Sequence, residues 1–262
     1  MSDWIQAALL GVIEGVTEFL PVSSTGHLLI AEHFLGTHYS DLFNIIIQTG
    51  AVLAVLAIFS KRVKELLTQW QNPKNLDYLM KLAAAFVLTA IGGLALKHFH
   101  FKLPKDVGPI AWATLIGGVL FVAVEWGLRG RRTTNEITWS IAIAIGLGQL
   151  VAAACPGASR SGTTILFALA LGLARPAATE FSFLLGIPTL LAAGAKEAKD
   201  AIHDHSAHEP WILILFATAV AAVTAFVVVR WLIGYVRSHT FTPFGIYRIL
   251  LGGALLLFVK NL

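Results

Sequence analysis

The sequence predicts an all-α, polytopic membrane protein built as an inverted-topology repeat, in which each half holds one re-entrant helix hairpin and three transmembrane helices. The chain of 262 residues is 56% hydrophobic and 13% charged, with a mean hydropathy of +0.75. Soluble domains carry about 25% charged residues. Two apolar segments are interrupted by proline, and landmark residues recur in one register in the two halves.

The first half begins with two helices that are too short to cross a membrane. The apolar run from Trp4 meets Glu14 well before the roughly 20 residues that a spanning helix needs, and Leu28–Leu35 is shorter still. Pro21 ends the first helix, and the hydroxyl residues after it can cap the second. We therefore expect a re-entrant hairpin covered by protein or water. Three spans are predicted to follow: Leu42–Phe59, Leu82–Leu96 and Ile110–Leu128.

The second half repeats this order of elements. Ile137–Ser159 is uncharged and interrupted by Pro156, and Ser161–Ala174 is a short partner. By length alone, Ile137–Cys155 would also be long enough to span a membrane. Three further spans are predicted: Ala177–Ala195, Trp211–Val229 and Phe244–Val259.

Internal repetition favours the second hairpin over a full span. One gap-free register aligns distinctive landmarks of the two halves: Trp4 with Trp139, Pro21 with Pro156, and Gly117-Gly118 with Gly252-Gly253. Three crossings is an odd number, so the halves would be inverted relative to each other, as in many transport folds. The prediction is one membrane domain over residues 1–262, with repeat one at about 1–132 and repeat two at about 133–262.

The charged residues indicate an orientation. With the N-terminus outside, clusters such as Lys61-Arg62 and Arg131-Arg132 lie inside, which follows the positive-inside rule, although Lys97–Lys105 is a basic outer loop. The net charge of +4 therefore reflects membrane topology, and we expect no nucleic-acid partner. A single cysteine, Cys155, excludes an intrachain disulfide. The first residues lack the basic region of a cleaved signal peptide.

The two hairpin tips are expected to meet near the midplane, and they carry different chemistry. Glu14 aligns with Gln149, and the first tip also holds Glu18 and His27, whereas the second tip holds Arg160 among hydroxyl residues. Two acids four residues apart lie on one helix face. A guanidinium pairs with phosphate oxygens, and helix N-termini with hydroxyls bind anions. The tips together therefore predict one composite phosphate site.

These tips resemble the signature motifs of a known family. Glu14–His27 (EGVTEFLPVSSTGH) and Pro156–Thr164 (PGASRSGTT) are similar to the motifs of the undecaprenyl-diphosphate phosphatases, the bacitracin-resistance proteins. The resemblance implies a hydrolase of the bacterial inner (cytoplasmic) membrane that removes the terminal phosphate of undecaprenyl diphosphate at the periplasmic face. It would recycle the lipid carrier for peptidoglycan synthesis, and thus support the cell wall and cell shape, with Mg²⁺ or Ca²⁺ as cofactor.

Residue types suggest roles within such a site. Ser24 is predicted to attack the distal phosphorus and form a phosphoserine, with His27 or Glu18 as general base; direct attack by water is the alternative. Arg160 would stabilise charge on the transferring phosphoryl group. Glu14 and Glu18 would hold the divalent cation. Further substrate-binding residues are predicted on both tips: Ser23, Thr25, Gly157, Ser159, Ser161 and Thr164.

Rival interpretations concern function and a few isolated charges. A lipid transporter or flippase would share the architecture, and a proton-coupled exporter would use the acids but not Arg160. The asymmetry of the tips favours the hydrolase. Glu125 is predicted to pair with Arg129 at i+4, Arg248 to snorkel to the inner face, and Glu180 has no assigned role. The expected partners are the lipid substrate and the bilayer, and a homodimer stays open.

Overall fold

The computed structural model describes residues 2–99, 106–203 and 210–258, which fold into eleven α-helices. Within these ranges there is no β-structure beyond one isolated bridge between Thr134 and Leu173. The predicted all-α class is confirmed. The helices are α1 (Asp3–Thr17), α2 (Ser24–Leu35), α3 (Asp41–Ile58), α4 (Ser60–Thr68), α5 (Pro73–His98), α6 (Val107–Gly127), α7 (Trp139–Ala154), α8 (Arg160–Ala170), α9 (Arg175–His203), α10 (Trp211–Tyr235) and α11 (Thr242–Phe258).

Within the described residues, four helices are long and apolar enough to cross a membrane, namely α5, α6, α9 and α10. A fifth span is formed if α3 and α4 count together, since they meet at a 73° bend. Helix α11 is apolar but falls in the shorter class of 10–17 residues. The predicted span Phe244–Val259 ends at Val259, which lies outside the described residues. Residues 100–105 of the predicted outer loop Lys97–Lys105 also lie outside them. The chain is thus a multi-pass membrane protein.

Both predicted hairpins are present as pairs of short helices. Helices α1 and α7 have 15 and 16 residues, which at about 1.5 Å per residue fall short of the roughly 30 Å hydrocarbon core. Pro21 and Pro156 lie in the turns that follow them. Each return helix then begins after a serine with left-handed φ, 74° at Ser23 and 69° at Ser159. The first helix of each hairpin therefore ends just before a proline, as the sequence predicted.

Helices of the two halves pack against each other rather than forming separate bundles. Helix α1 packs on α10, α7 packs on α5, and α3 contacts both α9 and α10. Small residues permit the close approach: a Cβ on Gly11 or Gly15 would lie 2.5 or 2.6 Å from backbone carbonyls of α10. Glycine at such positions is typical of membrane helix contacts. The inverted orientation of the halves relative to a bilayer stays a prediction.

Buried Glu125 joins α6 to the starts of α9 and α11. Its carboxylate accepts from Arg175 Nε at 2.9 Å and 3.2 Å on its two oxygens, and from Arg175 Nη2 at a shorter distance. It also accepts from the Phe241 backbone N–H at 2.8 Å. The predicted pairing with Arg129 is wrong, because α6 ends at Gly127 and Glu125 faces the interior. Glu180, for which the sequence predicted no role, pairs with Arg62 of α4 at 3.4 Å.

We expect Glu125→Gln to lower stability markedly, because it leaves Arg175 without its counterion. The side chain of Arg175 is 29% exposed, so the expected loss is about 3 kcal/mol, at the lower end for a buried pair. Glu65→Gln is the control, because it breaks the partly exposed Arg62–Glu65 pair and should cost less than about 1 kcal/mol. Equal thermal unfolding temperatures of the two variants in detergent would contradict this assignment.

Candidate active site

The tips of the two hairpins lie side by side and are held by direct hydrogen bonds. Ser161, at the start of α8, donates from Oγ to the carbonyls of Glu18 at 3.2 Å and Leu20 at 3.1 Å. The Glu18 carbonyl directly follows the end of α1, where helix carbonyls lose their intrahelical partners, and the Leu20 carbonyl also accepts from the Val22 N–H at 2.8 Å. Ser161 of the second tip therefore bonds two backbone carbonyls of the first tip, and the two tips meet as predicted.

Arg248 of α11 ties both tips to α6. It is fully buried and donates from Nη1 to the Pro21 carbonyl at 3.2 Å, from Nη2 to the Ala158 carbonyl at 2.9 Å, and from Nε to the Thr114 carbonyl at 3.2 Å. The predicted snorkelling of Arg248 is wrong. A guanidinium has five N–H donors in a fixed fork, and carbonyls released by two broken helices can satisfy them without access to water.

Glu18 is the centre of the site. Its side chain is 6% exposed; Oε1 accepts a hydrogen bond from Arg160 Nη2 at 3.1 Å, and Oε2 accepts one from Ser24 Oγ at 2.8 Å. Ser24 is the first residue of α2, so the partial positive charge of the helix N-terminus acts at its hydroxyl. A carboxylate, a hydroxyl and a guanidinium thus form one chain of contacts that joins the two hairpins.

His27 lies near Ser24 but is bonded elsewhere. Its Nδ1 is 2.7 Å from the Ser23 carbonyl oxygen, and its Nε2 is 2.6 Å from the hydroxyl of Tyr247. A carbonyl only accepts, so Nδ1 carries the proton, and in the neutral ring Nε2 accepts from Tyr247. Of the two general bases that the sequence suggests, Glu18 is the one that contacts Ser24. Tyr247 had no signal in the sequence, since it is one of several aromatic residues in an apolar helix.

Arg160 bonds Oε1 of Glu18, whereas Ser24 bonds the other carboxylate oxygen, Oε2. Its guanidinium lies 5.0 Å from the centroid of the Phe19 ring and donates from Nη1 to the Ser182 carbonyl at 3.4 Å. A Cβ on Gly186 would lie 2.3 Å from Nη1, so this glycine makes room for the arginine. The Nε atom is buried and has no hydrogen-bond partner among the described residues.

Glu14 is the most unusual group in the site. It is fully buried, and among the described residues no donor group bonds either carboxylate oxygen; the carboxyl of Glu18 lies within hydrogen-bonding reach of it, and Arg160 lies within electrostatic range. Its counterpart Gln149 instead donates to Thr89 and Thr189 at 3.1 and 3.0 Å. A buried carboxylate without donors requires a proton or a cation. Glu14 is therefore a feature of the first hairpin that packing alone does not explain.

The predicted pair Glu14 and Glu18 offers the carboxylate oxygens that a hard divalent cation such as Mg²⁺ prefers. Among the residues described, no group of three or more His, Cys, Asp or Glu side chains could hold a metal. In proteins, Mg²⁺ is usually bound by one or two carboxylates, and its other ligands are water molecules and substrate phosphate oxygens. Two carboxylates beside the predicted phosphate site would match that pattern.

The remaining predicted cradle residues mostly bond the backbone. Ser23 and Ser159 cap α2 and α8, accepting from the N–H groups of Gly26 and Gly162 at 3.3 and 3.1 Å. Thr164 is buried against Arg160 and Ser182. The Gly157 carbonyl accepts from Thr114 and Arg248, Ser161 links the tips, and Thr25 is exposed. Their roles in binding substrate stay a prediction; in the structure several of their hydroxyls shape the tips.

This chain is similar in sequence to known proteins over nearly its full length. Residues 7–254 match the family described as "Bacitracin resistance protein BacA". A relative named undecaprenyl-diphosphatase from Rhizobium etli is 51% identical over 256 residues, covering 97% of this chain and 96% of the relative. Proteins of the same name from Xylella fastidiosa and Xanthomonas axonopodis pv. citri are 49% identical over 98% of both chains and 46% identical over 99% and 98%.

We expect Arg248→Lys to loosen both tips, because an ammonium has three donors and cannot span carbonyls on the two tips and α6. Backbone amide exchange at residues 18–24 and 155–160 should become faster, and the thermal unfolding temperature should fall. Arg237→Lys, at an exposed position, is the matched control and should change neither quantity. Unchanged exchange at both tips in Arg248→Lys would show that the arginine does not hold them.

Proposed function

This chain belongs to the BacA family of bacitracin resistance proteins, and we propose that it is an undecaprenyl-diphosphatase that hydrolyses undecaprenyl diphosphate to undecaprenyl phosphate and inorganic phosphate. The contact that carries this proposal is the chain from Ser24 through Glu18 to Arg160. It combines a nucleophile, a base and a cation for phosphate oxygens. The relatives that match over the whole chain bear the name of the same activity.

Ser24 is the nucleophile in the mechanism we favour. Glu18 Oε2 takes the hydroxyl proton as the serine oxygen bonds to the distal phosphorus, and the bond from that phosphorus to the bridging oxygen breaks to release undecaprenyl phosphate. Glu18 passes that proton to the departing undecaprenyl phosphate. It then takes a proton from the water that attacks the phosphoserine, and as the bond from phosphorus to the Ser24 oxygen breaks the proton returns to Ser24 and inorganic phosphate is released. Direct attack by a water held on Glu18 would use the same base without the covalent step.

Arg160 changes partners during this reaction. Its guanidinium pairs with Glu18 at 3.1 Å before substrate binds. When Glu18 accepts the proton of Ser24 its charge is neutralised, so Arg160 binds the phosphoryl oxygens more strongly as their charge develops. Electrostatic stabilisation of this kind is usually the largest contribution to phosphoryl transfer.

Glu14 and Glu18 are the residues that would hold a divalent cation, Mg²⁺ or Ca²⁺, together with oxygens of the substrate. A bound cation supplies charge neutralisation for the diphosphate. The orphaned oxygens of Glu14 support this assignment, because they are buried and have no donor.

The cellular setting follows from the substrate and from the distribution of charge. We place the protein in the bacterial inner membrane with its site open to the periplasm, where it recycles the carrier lipid for peptidoglycan synthesis. The excess of Lys and Arg in the segments assigned to the inside supports this orientation. Both tips come from one chain, so every residue that we assign to the site belongs to a single copy.

Ser24→Ala and Arg160→Ala should each lower phosphate release from undecaprenyl diphosphate by at least about 100-fold, because each removes a group that acts on the transferring phosphoryl. The assay is phosphate release by the purified protein in detergent. Ser238→Ala, in an exposed turn, is the control and should retain full activity. Full activity in Ser24→Ala would leave only direct attack by water.

Chelation by EDTA should stop turnover, and added Mg²⁺ or Ca²⁺ should restore it. The physical reason is that the buried, unpartnered carboxylate of Glu14 and the diphosphate are both anionic. Phosphate release is measured before chelation, in EDTA, and after the cation is returned. Undiminished turnover in EDTA would remove the metal from the mechanism and would assign a proton to Glu14 instead.

A further inference from the structure

A polar cavity of about 700 Å³ lies between α4, α5, the start of α9 and the segment 135–137 that leads into α7. Among the described residues, none that we assign to the active site lines it. The volume is within the range of about 300–1,000 Å³ that is typical of small-molecule sites. In the orientation proposed above, all four segments lie at the cytoplasmic side of the membrane. The cavity is therefore separate from the site between the two tips.

Charged side chains of both signs line this cavity in equal number. They are the cations Arg62, Lys74 and Lys81 and the acids Asp77, Glu136 and Glu180. Like charges repel when they are held close together in a partly enclosed site, so a purely anionic ligand would be repelled by the carboxylates and a purely cationic one by the cations. The lining therefore favours a ligand that carries one charge of each sign.

Four of these six charges are already paired within the cavity wall. Arg62 Nε lies 3.4 Å from a carboxylate oxygen of Glu180, and Lys81 Nζ lies 2.6 Å from Asp77. Lys74 and Glu136 also line the cavity, but neither forms an ion pair with another described residue. The cavity thus offers one unpaired cation and one unpaired acid.

Tyr78 supplies an independent sign that a ligand is bound here. It lines the cavity, and its hydroxyl is buried without a hydrogen-bond partner among the described residues. A buried hydroxyl normally has a partner in the protein, in water or in a ligand. Lys74 and Tyr78 are four residues apart on α5, so they lie on one face of that helix. A phosphate group beside this face would meet an ammonium and a hydroxyl donor together.

Two features favour a primary ammonium over a quaternary one as the positive group of the ligand. The carboxylate of Glu136 only accepts hydrogen bonds, and a primary ammonium supplies the N–H donors. Quaternary ammonium groups are usually bound on open aromatic faces. Here Arg62 lies 4.9 Å from the centroid of the Tyr78 ring, and Lys81 lies 5.8 Å from that of Trp139. These aromatic rings are therefore already covered by cations.

Helix α4 connects the cavity with the surface of the bilayer. It bends 73° away from α3, so it runs close to the membrane plane where α3 crosses the membrane. Leu67 of α4 and the nearby Trp70 are 65% and 53% exposed, and such groups anchor a helix among lipid headgroups. A headgroup beside α4 can therefore enter the cavity while its acyl chains stay in the bilayer.

We propose that this cavity binds the headgroup of a phospholipid that carries one phosphate and one primary ammonium, which is a phosphatidylethanolamine. Lys74 and the hydroxyl of Tyr78 bind the phosphate oxygens, and Glu136 binds the ammonium. The proposal is independent of the hydrolysis of undecaprenyl diphosphate, because its residues do not belong to that site. The lipid joins the two repeats, since Lys74 belongs to the first repeat and Glu136 to the second.

The first test compares headgroups on matched acyl chains. Binding to the purified wild-type protein in detergent is measured by native mass spectrometry. Phosphatidylethanolamine should bind about tenfold more tightly than phosphatidylcholine, which lacks N–H donors, and than phosphatidylglycerol, which lacks the ammonium. Equal affinity for either of these lipids would overturn the proposal. Equally tight binding of free phosphoethanolamine would assign the site to a soluble zwitterion and would overturn the lipid assignment.

The second test removes one charge at a time. Lys74→Gln should weaken the binding of phosphatidylethanolamine at least about fivefold, and Glu136→Gln should abolish its preference over phosphatidylglycerol. Lys61→Gln and Asp3→Asn are the matched controls, because both residues are exposed and lie outside the cavity lining. Lys74 and Glu136 are exposed as well, so the thermal unfolding temperature without lipid should not change. Wild-type binding in Lys74→Gln or Glu136→Gln, or the same losses in the controls, would overturn the proposal.

The third test locates the bound lipid. A phosphatidylethanolamine with a photoactivatable diazirine next to its glycerol should label residues 60–81, and excess unlabelled phosphatidylethanolamine should prevent the labelling where phosphatidylglycerol does not. Equal protection by both lipids would indicate ordinary bilayer contact and would overturn the proposal. Ser24→Ala should be labelled like the wild type, so a failure of the proposed hydrolysis can be distinguished from a failure of this lipid site.

Discussion

The structure depends on how the backbone of two broken helices is satisfied inside an apolar environment. Each broken helix end leaves carbonyls without partners, and such groups are costly where water is scarce. Buried Arg248 donates to such carbonyls on both tips, and buried Ser161 donates to the Glu18 carbonyl of the first tip. The same contacts that make the breaks tolerable hold the tips against each other, so the apposition needed for chemistry is a consequence of backbone hydrogen bonding.

Function arises where the two halves stop being alike. Gln149 forms a neutral network with two threonines, whereas Glu14 at the aligned position is a buried carboxylate without a partner. Arg160 and Glu18 come from opposite tips and meet in one ion pair. The two hairpins give two similar tips. A few polar residues that differ between these tips make their contact an asymmetric site.

Several elements could be predicted because their cause is local. Proline, helix length and caps are properties of neighbouring residues, and they located the hairpins around Pro21 and Pro156. Single charges in apolar helices behaved differently. Glu125 was expected to bond within its own helix and Arg248 to reach water, but each bonds to groups that are distant in sequence. In a low-dielectric interior a charge takes whatever partner the packing brings near, and sequence spacing does not reveal that partner.

By itself, the sequence determined the membrane class, the two hairpins and the identity of the polar segments, because composition, length and proline act locally. The tertiary structure decided which of these polar groups touch. It placed Ser24 on Glu18 rather than on His27, and it turned His27 to Tyr247 of α11. Those choices depend on how α1, α2 and α11 cross in space, and contacts between crossing helices have no periodic or compositional signal along the chain.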